Sequence, residues 1–106
     1  MDEIGAALGF EGAVIKTGYL TKRAKKSGSN WKRRFFVLNS SSLVYFETHQ
    51  SKEPKGDILL VDASIRDIDD KTFEVSAFET LRLQAASPEE AQDWKDAIRS
   101  LQNSQR

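Results

Sequence analysis

The sequence predicts a mainly β domain with one α-helix: a seven-stranded antiparallel barrel or sandwich, capped at an open end by a C-terminal helix. Three observations lead there. From Gly18 onward, short apolar or alternating runs recur roughly every 8 to 14 residues. Turn-forming clusters such as KKSGSN, NSSS and THQSKEPKG separate them. The last stretch changes period from two to about 3.6 residues.

The runs, in order, are GYLTKRA, WKRRFFVL, LVYFE, DILLV, SIRDI, TFEVS and LRLQA. They are rich in the aromatic and branched residues that suit a pleated surface. Pro54 has no N–H to donate, so it belongs to a turn. In SPEEAQDWKDAIRSLQ, Ser87 is a helix N-cap, Pro88 suits the first helical position, and Glu90 completes a capping box. Ala91, Trp94, Ile98 and Leu101 form one apolar stripe, and Glu89, Asp93, Asp96 and Arg99 lie opposite. Trp94 therefore reads as a core anchor. The expected organisation is an N-terminal arm over residues 1–15, a domain over 16–103 and a tail at 104–106. The arm fits either a short helix packed on the domain or a loose segment.

At 106 residues the chain is the size of one ordinary domain. It has no Cys, which excludes disulfides, thiolate metal sites and a Cys nucleophile, and fits a reducing compartment. No apolar run approaches the roughly 20 residues of a membrane-spanning helix. The acidic start lacks the basic opening of a secretory signal. No catalytic constellation stands out, so the chain reads as a binding module rather than an enzyme, with no metal or cofactor expected. His49 is the single His and sits in a turn-rich segment; Asp67, Asp69 and Asp70 lack a spaced partner for metal or acid–base work.

Net charge is zero, yet it is unevenly placed. Residues 16–36 carry eight cations and no acid, while residues 1–15 carry −3 and residues 37–106 carry −5. Strand alternation says where those cations point. Leu20 and Lys22 share a face of the first strand, and Leu38, Phe36, Arg34 and Lys32 share a face of the second. If the apolar members face the core, the same inner column turns cationic towards the KKSGSN hairpin, with Tyr45 of the third strand facing the same mouth. Converging cations there call for a dense anion, and phosphate suits the Arg fork and the compact Lys charge. Arg23, Lys25 and Lys26 suit a second task, attraction to an anionic membrane surface at about 1 kcal/mol each. The bland alternative has every one of these side chains bending out into water.

These motifs together resemble a pleckstrin homology domain. GYLTKR, WKRRFFVL, LVYFE, KEPKGDILL and a C-terminal helix with Trp94 carry the resemblance over nearly the whole chain. It implies a strongly bent seven-stranded barrel capped by the helix. The spacing of Lys22 with Lys32, Arg33, Arg34, Phe35 and Phe36 is similar to that of members binding 3-phosphorylated phosphoinositides. YFETHQSKEPKG looks like the corresponding segment of phosphoinositide-binding exchange factors for small GTPases. The resemblance implies that Lys22 and Arg34 clasp inositol phosphates and that Lys32 adds a contact. Tyr45 would donate to a ring phosphate, and Lys55 would close the rim. Phosphatidylinositol 3,4,5-trisphosphate and/or 3,4-bisphosphate are the expected ligands, with recruitment from the cytoplasm to the plasma membrane as the role. Between the sixth and seventh strands there is no room for the extra hairpin of some high-specificity relatives. A protein- or peptide-binding adaptor with weak, non-specific lipid binding is the competing reading. A nucleic-acid partner is not expected, because the basic patch is compact and the rest of the chain is acidic.

Overall fold

The computed structural model describes residues 13–23 and 30–104. Seven strands precede a helix: β1 (Val14–Arg23), β2 (Trp31–Asn39), β3 (Ser42–Phe46), β4 (Gly56–Leu59), β5 (Ser64–Asp67), β6 (Thr72–Ser76), β7 (Thr80–Gln84) and α1 (Pro88–Ser104). All neighbouring strands are antiparallel, in the order β4-β3-β2-β1-β7-β6-β5. β1 is the seam of this order. It pairs with β2 along its whole length but with β7 only at Thr21 and Lys22, near its end. β1 also begins four residues before the alternation that opens at Gly18, with a register shift between Val14 and Lys16.

The alternation expected from the sequence holds on the inner face. Leu20, Phe36, Leu38 and Leu43 are fully buried in one core with Phe73, Val75, Leu83, Trp94 and Ile98. It fails to describe the other side of β2. Phe35 and Val37 are buried there too, against Val44, Phe46, Val14 and Tyr19. β2 is covered on both faces from Phe35 to Asn39, which is why FFVL reads as a continuous apolar run.

α1 starts as its sequence dictates. The Ser87 hydroxyl accepts from the Glu90 amide at 3.1 Å, and the Ser87 carbonyl accepts from the Ala91 amide. Ala91, Trp94 and Ile98 are buried, with Leu101 packed at the edge. Trp94 lies against Gly18, where an added Cβ would stand 3.4 Å from the indole. Lys95 is also buried, which the apolar stripe does not indicate. Its ammonium donates to Asp67 of β5 at 2.9 Å, and this bond lowers the Asp67 pKa. Gln102 donates to the carbonyls of Leu60 and Ala63, tying the helix to the β4–β5 connection.

Glu74 locks the second half of the sheet. Register places it between Arg66 and Arg82, and its carboxylate accepts from both, at 2.6 Å and 2.7 Å. The Arg66 bond is the main reason its pKa is lowered; burial opposes the shift and Arg82 adds to it. A lowered folded pKa means this stabilisation is complete above the ordinary glutamate range and is lost as pH falls through the folded value. Glu74→Gln should cost about 1 kcal/mol at neutral pH, a value discounted because Arg66 is largely in water. Urea unfolding at successively lower pH should show the wild-type advantage vanish in acid; a constant advantage would contradict the pairing. Trp94→Ala should cost roughly 3–5 kcal/mol by the same measurement, and a loss below about 1 kcal/mol would remove the indole from the core.

Candidate anion-binding site

The β1–β2 register sets the geometry of the basic mouth. Leu20 pairs with Arg34, and two residues further on Lys22 pairs with Lys32. Directly opposed residues share a face, and so do residues two apart. All four therefore stand in the column that continues from buried Leu38 and Phe36. Phe36 pairs with Tyr45, which carries the column across to β3. The side chains follow. The Lys22 ammonium lies 5.0 Å from the centre of the Tyr45 ring, the distance of a cation–π contact. Tyr45 packs on Phe36 with ring centres 5.4 Å apart. Arg34 is half-buried, and one of its guanidinium nitrogens donates to the Arg33 carbonyl at 2.9 Å.

Tyr45 is the electrostatic meeting point. Burial raises the pKa of its hydroxyl, the Arg34 charge pulls it down, and Asp57 pushes it up again. The hydroxyl therefore keeps its proton at neutral pH, within the fields of Arg34 and Asp57. Its position depends on Gly56, the β4 residue opposite it. A Cβ built on Gly56 would meet the Tyr45 hydroxyl and stand 2.6 Å from Cζ. The sequence suggested no role for this glycine; the only signal was its place after KEPK at the start of a strand.

The other expected site residues divide. Lys32 is exposed on the mouth's face. Lys55 is exposed, and its amide donates to the Tyr45 carbonyl at 2.8 Å, which sets it at the rim beside Tyr45. Arg23, the last residue of β1, falls on the opposite face from Lys22 by alternation and pairs with Trp31. Lys25 and Lys26 lie outside the described residues.

Opposite the mouth is a cluster that sequence reasoning missed. The Arg33 guanidinium stacks 3.8 Å from the centre of the Tyr19 ring. The Tyr19 hydroxyl joins His49 Nδ1 at 2.7 Å and accepts from the His49 amide at 2.9 Å. This fastens the β3–β4 connection to β1, so exposed His49 has a structural task. A cavity of about 740 Å³ lies between β1 and the start of α1. It is lined by Lys16, Arg33 and Lys71 and by Glu90 and Asp93, so its charges are mixed.

The β6–β7 connection is a three-residue turn, Ala77 to Glu79, closed by the Ser76–Thr80 pair. No extra hairpin is inserted there. Among the described residues, no helix is long and apolar enough to cross a membrane.

Comparison with known proteins agrees with this architecture. Residues 14–103 match the sequence model of the PH domain. The chain is 34% identical over 101 residues to Src kinase-associated phosphoprotein 1 of Rattus norvegicus, covering 83% of this chain and 28% of that protein. It is 31% identical over 112 residues to cytohesin-3 of Homo sapiens, covering 80% and 28%. It thus spans little more than a quarter of these relatives. The crystal structure of the C-terminal PH domain of pleckstrin in complex with D-myo-Ins(1,2,3,4,5)P5 superposes with a TM-score of 0.77 and 30% identity. That match covers 84% of this chain and 98% of the other. Seven antiparallel strands and a C-terminal helix are shared with these neighbours, and the chain belongs to the PH domain family.

Proposed function

We propose that this PH domain is a membrane-targeting module that binds phosphoinositide headgroups through Lys22, Lys32, Arg34, Tyr45 and Lys55. The observation that carries the reading is the placement of the Lys22 ammonium over Tyr45, with Arg34 on the same column. A partly sunk group of cations on one face is costly in isolation. A polyphosphate offers each of them a charge-assisted hydrogen bond. The inositol pentakisphosphate complex of the pleckstrin domain supports the chemistry in a relative of the same fold.

In this reading Arg34 grips one phosphate with its fork and Lys22 moves from the Tyr45 ring to another. Tyr45 donates its hydroxyl, Lys32 adds a contact and Lys55 closes the rim. Arg23, with Lys25 and Lys26, adds long-range attraction to the anionic cytoplasmic leaflet of the plasma membrane, which weakens with salt. Phosphatidylinositol 3,4,5-trisphosphate and 3,4-bisphosphate are the favoured lipids, because the Lys22 and Lys32–Phe36 spacing follows the 3-phosphoinositide pattern. The short β6–β7 turn supplies no further ligands, so discrimination between these two lipids should be modest.

Calorimetry with the soluble headgroup of the trisphosphate tests the assignment. Arg34→Ala or Lys22→Ala should weaken binding about tenfold or more, equivalent to about 1.4 kcal/mol, with unfolding unchanged. Unchanged affinity in either variant would remove that residue from the site. Gly56→Ala should displace Tyr45 and cost roughly 1 kcal/mol of headgroup affinity, although it alters no charge. Wild-type affinity in Gly56→Ala would detach Tyr45 from binding.

A further inference from the structure

A second surface lies beside the mouth and has the opposite character. β4 ends the strand order, and among the described residues no strand lies along its outer edge. A cavity of about 340 Å³ follows that edge. Asp57, Ile58 and Leu59 all line it, although Ile58 is buried towards the core and its two neighbours are exposed. Consecutive residues from both faces of a strand line one cavity where that cavity runs along the strand's edge. The far wall is the β6–β7 turn, with Phe78.

The backbone there is available for pairing. The Leu60 amide donates back to the Ser41 carbonyl, so strand alternation turns the amides of Asp57 and Leu59 outward. The side chains are apolar and unusually exposed for their size: Leu59 at 61%, Val61 at 57% and Phe78 at 107%. Three large apolar groups from two elements meeting on one cleft differ from singly scattered surface residues, which need no explanation. The charged residues of the cleft are Asp57, Asp62 and Glu79, with no cation among them.

We infer that this cleft receives an extended peptide segment of a partner protein, with apolar residues flanked by Lys or Arg, which adds a strand to β4. Main-chain hydrogen bonds to the open edge would give affinity. The pocket between Leu59, Val61 and Phe78 would select apolar side chains, and the three carboxylates would select basic flanks. Charge sets this occupant apart from two others. An anionic bilayer attracts cations at its surface and repels these carboxylates. A second copy of the chain in a two-fold dimer would bring acidic rim against acidic rim. The site does not require the lipid reading to be correct, and a module holding both could join a protein partner to a membrane.

The test uses the full 106-residue chain and random twelve-residue peptides displayed on phage. Selected peptides should carry apolar residues flanked by Lys or Arg. Synthetic copies should bind at least tenfold more weakly to Phe78→Ser and to Asp62→Lys, and equally well to Arg34→Ala. Peptide binding should slow hydrogen exchange at the amides of Asp57 and Leu59. Phe78 is fully exposed, so Phe78→Ser should melt like the wild type. The inference is overturned if no peptide of this pattern is selected, or if selected peptides ignore Phe78→Ser. It is equally overturned if Phe78→Ser instead weakens binding to phosphatidylserine vesicles, or disperses a self-associated form seen in sedimentation. Those last two outcomes assign the cleft to a bilayer or to a second copy.

Discussion

Lys22 faces Lys32 across a hairpin, two residues beyond the point where Leu20 faces Arg34, and the rest of the candidate site depends on that register. A strand offers two faces and no intermediate choice. Once Leu20, Phe36 and Leu38 are committed to the core, the cations that follow them at even spacing are committed to the same side. A slip of one residue in β2 would turn Lys32, Arg34 and Phe36 outward and bring Arg33 and Phe35 to the core side. The apolar drive that folds β1 onto β2 thus also aims the charges. Stability and the proposed binding are set by the same alternation, and each residue serves one or the other according to its distance along the hairpin.

The parts around the mouth hold that arrangement still. Tyr45 is fixed from below by Phe36 and from the side by the bare backbone of Gly56, so it offers Lys22 a defined resting place. The Tyr19–His49 bonds pin the β3–β4 connection, and the Lys55 amide binds the Tyr45 carbonyl. On the far half of the sheet, the Arg66–Glu74–Arg82 row and the Lys95–Asp67 bond join β5, β6, β7 and α1. These ties lie away from the mouth.

The sequence carries the succession of seven strands, the helix with its Ser87 cap and the inner column of β1 and β2, because those follow from periodicity and from local turn chemistry. It does not carry what depends on side chains meeting across strands. Phe35 and Val37 look like outward residues by alternation and prove buried, since a second apolar cluster covers that face. Lys95 sits one position from the apolar stripe of α1 and is buried because Asp67 of a distant strand meets it. Gly56 is an ordinary turn glycine until Tyr45 is placed over it. The apolar cleft is invisible for the same reason: Leu59 and Val61 belong to a run that looks like core, and Phe78 to a turn in a distant part of the chain.

The proposed convergence of Lys22, Arg34 and Tyr45 on one polyphosphate is most directly examined by nuclear magnetic resonance. The soluble headgroup of phosphatidylinositol 3,4,5-trisphosphate would be titrated into the isotope-labelled protein while backbone and side-chain signals are followed. The largest shifts should fall on Lys22, Lys32, Arg34, Tyr45 and Gly56, and saturate together with one dissociation constant. Shifts centred on Lys16, Lys71 and Asp93 between β1 and the helix, or small shifts spread over every surface cation without saturation, would contradict the account.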